Sequence, residues 1–526
     1  MKLFKLKNIL SLLAMIGLVW TLGSCKKEDD LGEAPRLFRP TVSGDLVATA
    51  NFIEASWQRV KGADEYTIQI SRDTFKTIDV SINVDSNAVL IENLKWDQLY
   101  QVQVRANSAD SLKNSKFGIL GAVKTPRFPS ILKPSTINDV TENSAIMRWT
   151  ASGAAVTEIK VFTELNGTLL RTVTLSPTDI NNEYRIVNGL TSATSYYFEL
   201  YSGSTLRGYN TYITKAPFEG AVIDLRDLEF KPSLLQDTIL DVPSGSTIIL
   251  KKGLTYNIGE SLSLSKTVTI TSGSDLLIQE PANIYFTRNF NFESGSTIDS
   301  ISFVNVNLKG NAYGGMYVFN TTGGAALGKL KFENCKIEIF RGITRLQSGT
   351  TTVNNYVINN CLIDSISGYG LLTVDNATCK AENIVIKNST ISRAEIVVVS
   401  SKASANSITI ENSTFYRAPR GGSYLIDCNT AVVAGGIKIY NNIFSIGKSN
   451  SGNTSPRGIR ATGSTIDATN NYATSDYVNA SNPIPDLIMH TRPSNEVFTD
   501  PFTNNFKIQD QGFPGRSTAG DPRWRL

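Results

Sequence analysis

Seven asparagines recur at nearly regular spacing in the second half of the chain, and they constrain its fold more than any other feature. The spacings between them are 29, 26, 28, 24, 29 and 29 residues. A repeat of this length is typical of a solenoid, in which each repeat forms one coil and stacked coils share a continuous core. The seven positions are Asn305, Asn334, Asn360, Asn388, Asn412, Asn441 and Asn470.

The residues around each asparagine also repeat in kind. Positions four and two before it, and three after it, are apolar in nearly every repeat. The alternation predicts a strand with one buried face. The change of parity after the asparagine requires a bend, and asparagine tolerates the left-handed conformation that a bend needs. Equivalent side chains should therefore form columns with a spacing of about 4.8 Å, in which each amide bonds its neighbour.

Similar alternation begins upstream, at residues 244–250 and 253–256. Together with the repeat, these segments resemble the pectate-lyase-like family, which has the pectin lyase fold. The resemblance implies a right-handed parallel β-helix over about 220–510, the hand following from that family and from strand twist. The tail at 520–524 is expected to cover the last coil, because solenoid ends need caps.

Two paired signals precede this region. Trp57 stands in an early alternating segment and Tyr100 follows Leu94 by six residues; the same arrangement recurs with Trp149 and Tyr196. These residues resemble the core tryptophan and tyrosine corner of fibronectin type III domains. The chain is therefore predicted to be all-β, with fibronectin-like sandwiches at 36–126 and 127–217 and a β-helix domain with a C-terminal cap at 218–526.

The N-terminus reads as a sorting signal. A lysine-rich start precedes an apolar run, 9–22, that is short for a membrane span. It ends in Leu-Gly-Ser-Cys, which resembles a bacterial lipobox and implies a signal peptide at 1–25 with acylation of Cys25. The linker at 26–35 begins Lys-Lys-Glu-Asp-Asp, similar to the export tag of Bacteroidetes surface lipoproteins. The resemblance implies lipid anchoring in the outer membrane, facing the cell exterior; an ordinary secretory signal is the alternative.

Charge and cysteine content exclude some functions. The formal net charge of +4 is too small to suggest nucleic-acid binding. Four further cysteines, Cys335, Cys361, Cys379 and Cys428, form no metal-binding pattern. Cys335 and Cys361 share the column directly after the asparagine, where they either stack as thiols or form a bridge.

The column four residues after each asparagine is polar and is predicted to face solvent. It brings Glu338 and Asp364 onto adjacent coils, roughly 5 Å apart, with Lys309 on the coil before them. Two such carboxylates repel each other unless a cation lies between them, and calcium, which prefers oxygen ligands, would suit. A solvated acidic pair is the alternative.

Arginines follow in the next column. Arg393 and Arg417 lie on neighbouring coils, and they point outward only if their strands end before them. Arg341 and Arg420 lie nearby. Such a cluster binds uronate carboxylates through paired hydrogen bonds, and ion pairing on the outside of the coils is the alternative. Tyr313, Tyr317, Tyr369 and Tyr416 are candidates to stack on sugar rings.

The family resemblance implies an acidic polysaccharide such as pectin as ligand. The segment 417–420, Arg-Ala-Pro-Arg, is similar to the Arg-x-Pro-x-x-Arg of pectate lyases, but its second arginine comes one residue early. The preferred interpretation is a surface lipoprotein that binds this glycan, beside a glycan-uptake complex. One alternative is a lyase that uses Arg393, Arg417 or Arg420 as base and calcium held by Glu338 and Asp364. Another is an adhesin or structural β-helix without catalysis.

Overall fold

The computed structural model describes residues 36–126 and 129–526. Cys25 and the linker at 26–35 lie outside the described residues, so the lipidation prediction stays a prediction. The described chain is all-β apart from the short α-helices Pro177–Asn182, Leu234–Ile239 and Ser494–Val497 and four 3-10 turns. It divides into two compact units, and the whole β-helix lies in the larger one. No helix in the described part of the chain has the length and apolar character that crossing a membrane requires.

The first sandwich has the strand order of a fibronectin type III domain. One sheet runs β1-β2-β5 and the other β4-β3-β6-β7. Trp57 is fully buried between them, and the hydroxyl of Tyr100 accepts a hydrogen bond of 3.0 Å from the Lys95 N–H, as the tyrosine corner predicts. The strands are β1 Val47–Thr49, β2 Phe52–Ser56, β3 Glu65–Ser71, β4 Val80–Val84, β5 Ala88–Ile91, β6 Leu99–Asn107 and β7 Gly118–Lys124.

The second sandwich repeats this plan with a four-stranded sheet, β10-β9-β12-β13, and a two-stranded sheet, β11-β8. Trp149 is buried, and the Tyr196 hydroxyl accepts a bond of 2.8 Å from the Thr191 N–H. The strands are β8 Ser144–Arg148, β9 Glu158–Phe162, β10 Leu169–Thr174, β11 Tyr184–Asn188, β12 Ser195–Ser202 and β13 Thr205–Ile213.

A parallel β-helix of about nine coils follows, as predicted. Its strands form three faces, and all pairings within the faces are parallel. The first face, which precedes the asparagines, contains Val222–Asp224, Ser246–Leu250, Val268–Ser272, Thr297–Val304, Ala326–Glu333, Thr352–Asn359, Lys380–Lys387, Ser407–Glu411, Ile437–Tyr440 and Ile466–Thr469.

The second face follows the asparagines, and the third closes each coil. Strands Lys336–Leu346 and Leu362–Val374 bend and contribute to both. The second face also contains Thr255–Ile258, Asn283–Phe286, Asn307–Gly310, Thr390–Ser392, Thr414–Tyr416, Ile443–Phe444, Tyr472–Ala473 and Ile488–Met489. The third also contains Leu262–Leu264, Phe290–Phe292, Tyr317–Thr321, Val398–Val399, Tyr424–Asn429 and Arg457–Ala461.

The asparagines make the bend between the first and second faces. All seven have positive φ, between 50° and 55°. Their amides connect adjacent coils: Asn334 donates to Asn305 over 3.1 Å and Asn470 donates to Asn441 over 2.8 Å. Asn388 departs from the pattern and donates to Asn359 over 2.9 Å. The predicted bend is thus confirmed, and the amide ladder is present at three of its six steps, the third joining Asn360 to Asn334 over 3.3 Å.

A second ladder lies inside the coils, directly after the asparagines. In the last coils, hydrogen bonds link its members one after another. The Ser413 N–H donates to Asn442 over 2.9 Å, and the Asn442 N–H donates to Asn471 over 3.1 Å. Cys335 and Cys361 stand in the same column as buried free thiols, each donating to backbone carbonyls. Burial raises the pKa of the Cys361 thiol well above its usual range.

The tail at 520–524 does not cover the last coil. It belongs to a C-terminal segment, residues 494–526, that packs on the second face and reaches Tyr472, beyond the last asparagine, through Phe513. Its short antiparallel hairpin, Phe498–Asp500 with Asn505–Ile508, and its final residues lie along the second face. Trp524 donates to the Thr390 hydroxyl over 2.8 Å, and Arg525 donates to Asn412 over 2.9 Å. The predicted position of the cap was therefore wrong. The apolar surface that needed covering is the outer side of the second face, at Tyr416, Ile443 and Tyr472.

Candidate functional site at the arginine corner

The turns between the second and third faces stack on one another and form what we call the arginine corner. It comprises residues 310–316, 339–341, 365–369, 393–397, 417–423 and 445–456 on six successive coils. Second-face strands end at Ser392 and Tyr416, directly before Arg393 and Arg417. Both arginines have positive φ, 54° and 49°, which turns the chain outward. The requirement that the strands end before them is therefore met.

The two carboxylates predicted to bind calcium do lie opposite each other, since Glu338 pairs with Asp364 in register. Each has cations of its own, however. Glu338 contacts Lys336 at 2.9 Å and Lys309 at 3.2 Å, while Asp364 is paired with Arg393. Calcium needs six to eight oxygen ligands, and the described residues contain no group of three acidic, His or Cys side chains around a common point. These residues do not fit a calcium site.

Arg393 is held in place by the C-terminal segment. Its Nε donates to Asp364 over 2.7 Å, and its Nη2 bonds both Asp364 and Asn504. Although burial raises the pKa of the Asp364 carboxyl, the hydrogen bonds and charge of Arg393 lower it below its usual value. A guanidinium held by these hydrogen bonds is unsuited to act as a base. Arg393 instead fixes the turn of the arginine corner to Asp364 and to the C-terminal segment.

The centre of the corner is Glu395. Its carboxylate accepts from the Tyr313 hydroxyl over 2.6 Å and from Arg420 over 3.1 Å, and Lys448 lies 3.4 Å away. The Lys448 ammonium also donates to the Tyr313 hydroxyl. Burial lowers the pKa of Lys448, although the Glu395 charge opposes this. Burial and the hydrogen bond to Glu395 raise the pKa of Tyr313.

Two arginines at the corner have aromatic partners and form no ion pair with any described residue. Arg341 lies over the Tyr369 ring, with 4.7 Å from its Cζ to the centroid. Arg417 lies over the ring of Phe502 at 5.5 Å, and that ring is 66% exposed. Both arginine residues are half-buried. They are the cations of the corner that remain available to a ligand.

Two predicted binding residues are placed differently from what was expected. Tyr416 is 5% exposed and packs edge-on against Phe506, 5.5 Å between centroids, so it cannot stack on a sugar. The C-terminal segment buries it. Lys309 is exposed but lies on the second face, paired with Glu338. Arg341 and Tyr369 are in contact, and Arg417 and Arg420 lie on one turn three coils beyond Arg341.

Sequence reasoning missed Glu395 and Lys448, and it assigned Tyr313 only to stacking. Tyr313 comes from a loop three coils before Glu395, and Lys448 comes from a coil two after it. Their columns are interrupted by turns of unequal length, so the repeat does not align them. The available signal was Glu395, an acidic residue two positions after Arg393.

Two family models match the β-helix. Domain of unknown function (DUF4957) matches residues 254–394, and Domain of unknown function (DUF5123) matches residues 408–524. The arginine corner is divided between them, and neither description assigns an activity. No curated protein matches the chain.

The sandwiches are similar to solved fibronectin segments. A two-domain fibronectin type III segment from chicken tenascin matches at 19% identity and a TM-score of 0.16, covering 34% of this chain and 99% of that one. The FN1–FN3 domains of chicken CNTN1 match at 11% identity and 0.15, covering 34% and 66%. The central fibronectin-III array of RIM-binding protein matches at 16% and 0.13, covering 36% and 71%. The strand order of the two sandwiches, and not these TM-scores, identifies their fold.

Proposed function

We propose that the β-helix binds an acidic polysaccharide, of the pectin or polygalacturonate class, at the arginine corner. The observation that carries the proposal is the pair of half-buried arginines, Arg341 and Arg417, that lack a carboxylate partner among the described residues. A cation removed partly from water without a partner is costly, and a ligand carboxylate would offset that cost through two parallel hydrogen bonds.

The surroundings of these two arginines support a sugar acid over a free anion. The exposed ring of Phe502 presents an apolar surface beside the Arg417 guanidinium. A uronate residue has both a carboxylate and a largely apolar ring face, so it complements both groups at once. With Cys25 as a lipid anchor, the protein would present this corner outside the cell, beside a glycan-uptake complex.

A polysaccharide lyase is the second candidate, favoured by Lys448. Burial lowers the pKa of its amine, so the amine loses its proton more readily. A general base must be unprotonated before it can accept a proton. In such a reaction the amine takes the proton α to the uronate carboxylate, the C–O bond at the β carbon breaks, and a carbon–carbon double bond forms. Arg420 beside it is suited to stabilise the carboxylate, and the Tyr313 hydroxyl to protonate the leaving oxygen.

Binding is tested with polygalacturonate and the full chain by calorimetry. Arg341→Ala and Arg417→Ala should each weaken affinity about 10- to 100-fold, the range for a charged hydrogen-bonded contact. Lys438→Ala, which removes one exposed charge from the first face, is the matched control and should bind normally. Affinity unchanged in both arginine variants would reject the corner as the binding site.

The lyase candidate is tested separately, by the ultraviolet absorbance of the unsaturated product. If the wild type forms product, Lys448→Ala should abolish its formation while polygalacturonate still binds. Binding without product in the wild type would reject the lyase and leave the binding function intact.

A further inference from the structure

We infer that the β-helix carries two like anion subsites on its third face, and that one acidic polysaccharide chain occupies both by lying along the helix axis. This inference rests on the proposed function and adds to it a second site, a direction and a minimum ligand length. Its basis is a side-chain arrangement that occurs twice: a tyrosine between one arginine fixed by an aspartate and one arginine with no acidic partner.

The first instance surrounds Tyr369. Arg345 lies over its ring at 4.2 Å and Arg341 at 4.7 Å. Arg345 is fixed by Asp375, to which its Nε donates over 3.0 Å and its Nη2 over 2.5 Å. Tyr317 packs edge-on against Tyr369, 5.6 Å between centroids. The ring is thereby held, and the Arg341 guanidinium is left without a carboxylate among the described residues.

The second instance surrounds Tyr424. Arg460 lies over its ring at 4.5 Å and Arg457 at 5.2 Å. Arg460 is fixed by Asp427 through two parallel bonds of 2.8 and 2.7 Å. Arg457 donates only to the Tyr424 hydroxyl, over 3.4 Å, and in the described part of the chain it forms no ion pair. The roles of Arg345 and Arg341 are thus repeated by Arg460 and Arg457.

The arginine fixed by an aspartate occupies the same column of the third face in both instances. Arg345 pairs with Thr373, and the register continues through Val399 and Asp427 to Arg460. Arg341 and Arg345 lie one coil before Tyr369, whereas Arg457 and Arg460 lie one coil after Tyr424, so the order along the axis is reversed. The two arginines without an acidic partner, Arg341 and Arg457, are four coils apart, which is about 19 Å at about 4.8 Å per coil.

A spacing of about 19 Å along the helix axis exceeds the length of one sugar ring. A monosaccharide acid therefore occupies one subsite at a time, while an extended oligosaccharide reaches both. Occupying the second subsite by the same chain raises affinity without new contacts, by up to several orders of magnitude for a linked pair. The ligand's anionic group is a carboxylate or a sulfate ester, since a guanidinium fork accommodates both.

The observations favour a glycan over a nucleic acid. The rings of Tyr369 and Tyr424 each have two guanidiniums over them, so they are not open platforms for base stacking. The net charge of +4 is also small for a protein that binds a polyphosphate.

The experiment measures affinity against chain length. Galacturonate, its di- to hexamers, a sulfated oligosaccharide series and a single-stranded oligonucleotide are titrated into the full chain. Wild type should show a rise of at least tenfold between the shortest and the longest uronate or sulfate oligomers, and the stronger series identifies the anionic group. In Arg457→Ala that rise should disappear, whereas the affinity for the monomer, still bound at the first subsite, should change less than threefold.

Arg457→Lys keeps the charge without the planar fork and should restore the rise only in part. Lys438→Ala is the control for loss of one positive charge, and the thermal midpoint of each variant checks folding. If Arg457→Ala keeps the full length dependence while Arg341→Ala weakens binding, the second subsite is rejected and the proposed function stands. If no glycan binds the wild type, the proposed function fails as well. Tighter, Arg457-dependent binding of the oligonucleotide would overturn the glycan assignment.

Discussion

Two halves of one column show how far a repeat determines the environment of its residues. We call the coils that follow Asn305, Asn334 and Asn360 the upper coils and the later ones the lower coils. In the upper coils, the position four after the asparagine holds Lys309, Glu338 and Asp364, which pair with neighbouring charges at the surface. In the lower coils it holds Ser392, Tyr416, Ser445 and Thr474, all of them buried. The backbone geometry is the same throughout, and the difference comes from the C-terminal segment that covers only the lower half.

Covering the lower half creates a second core outside the coils. Tyr416, Ile443 and Tyr472 of the second face pack against Phe498 and Phe506 of the C-terminal segment. The interior core of the coils lies on the other side of the same strands. Second-face strands in the lower coils are thus buried on both sides, as in doubly covered parallel sheets.

The largest expected effect comes from removing the centre of this second core. Phe506 is fully buried and contacts Tyr416, Phe498 and Trp524. Phe506→Ala should lower the free energy of unfolding by about 3–5 kcal/mol through lost burial and the cavity left behind. In hydrogen exchange, the strand Thr414–Tyr416 should lose protection while the strand Asn307–Gly310 keeps it. Lys309→Ala in the open half is the control, at about 0–1 kcal/mol. Equal loss of protection in both halves would refute the comparison.

A smaller effect distinguishes the two asparagine ladders. Asn442 is fully buried, and its amide donates to the Ile410 carbonyl and to Asn471, both over 3.0 Å. Asn442→Ala leaves several of these groups unpaired and should cost about 2–3 kcal/mol. Asn334 is exposed, and Asn334→Ala should cost about 1 kcal/mol, mostly for placing alanine at a φ of 53°. Thermal or denaturant unfolding of both variants measures the difference, and the reverse order would contradict it.

The smallest effect lies at the boundary between the halves and depends on pH. The pKa of Asp364 is lowered in the folded protein, so its stabilising contribution is present above the unfolded value of about 3.9 and is lost as pH falls through the folded value. Asp364→Asn should therefore cost about 1–2 kcal/mol at pH 7, and the difference from wild type should vanish in acid below the usual aspartate range. Unfolding midpoints between pH 7 and pH 2.5 measure this. A difference that stays constant over that range would argue against the Arg393 pairing.

The arginines illustrate which parts of the site could be predicted from the sequence. The position of Arg393 and Arg417 in the repeat, together with the need for their strands to end, correctly put both at an outward turn. Their partners were not predictable, because Asn504 lies 111 residues from Arg393 and Phe502 lies 85 residues from Arg417, in a segment without the repeat. That segment made Arg393 a fixed structural residue and left Arg417 without an acidic partner.

The sequence by itself determined the all-β class, the two fibronectin-like sandwiches and the coil-by-coil register of the β-helix. It could do so because these depend on local patterns: alternation, tyrosine corners, and asparagines at left-handed bends. Only the tertiary structure decided which outward residues meet solvent, which cations keep a free hydrogen-bonding edge, and that Tyr313, Glu395 and Lys448 meet. Those outcomes depend on turns of unequal length and on a non-repeating segment, and their contacts join residues between which no periodicity exists.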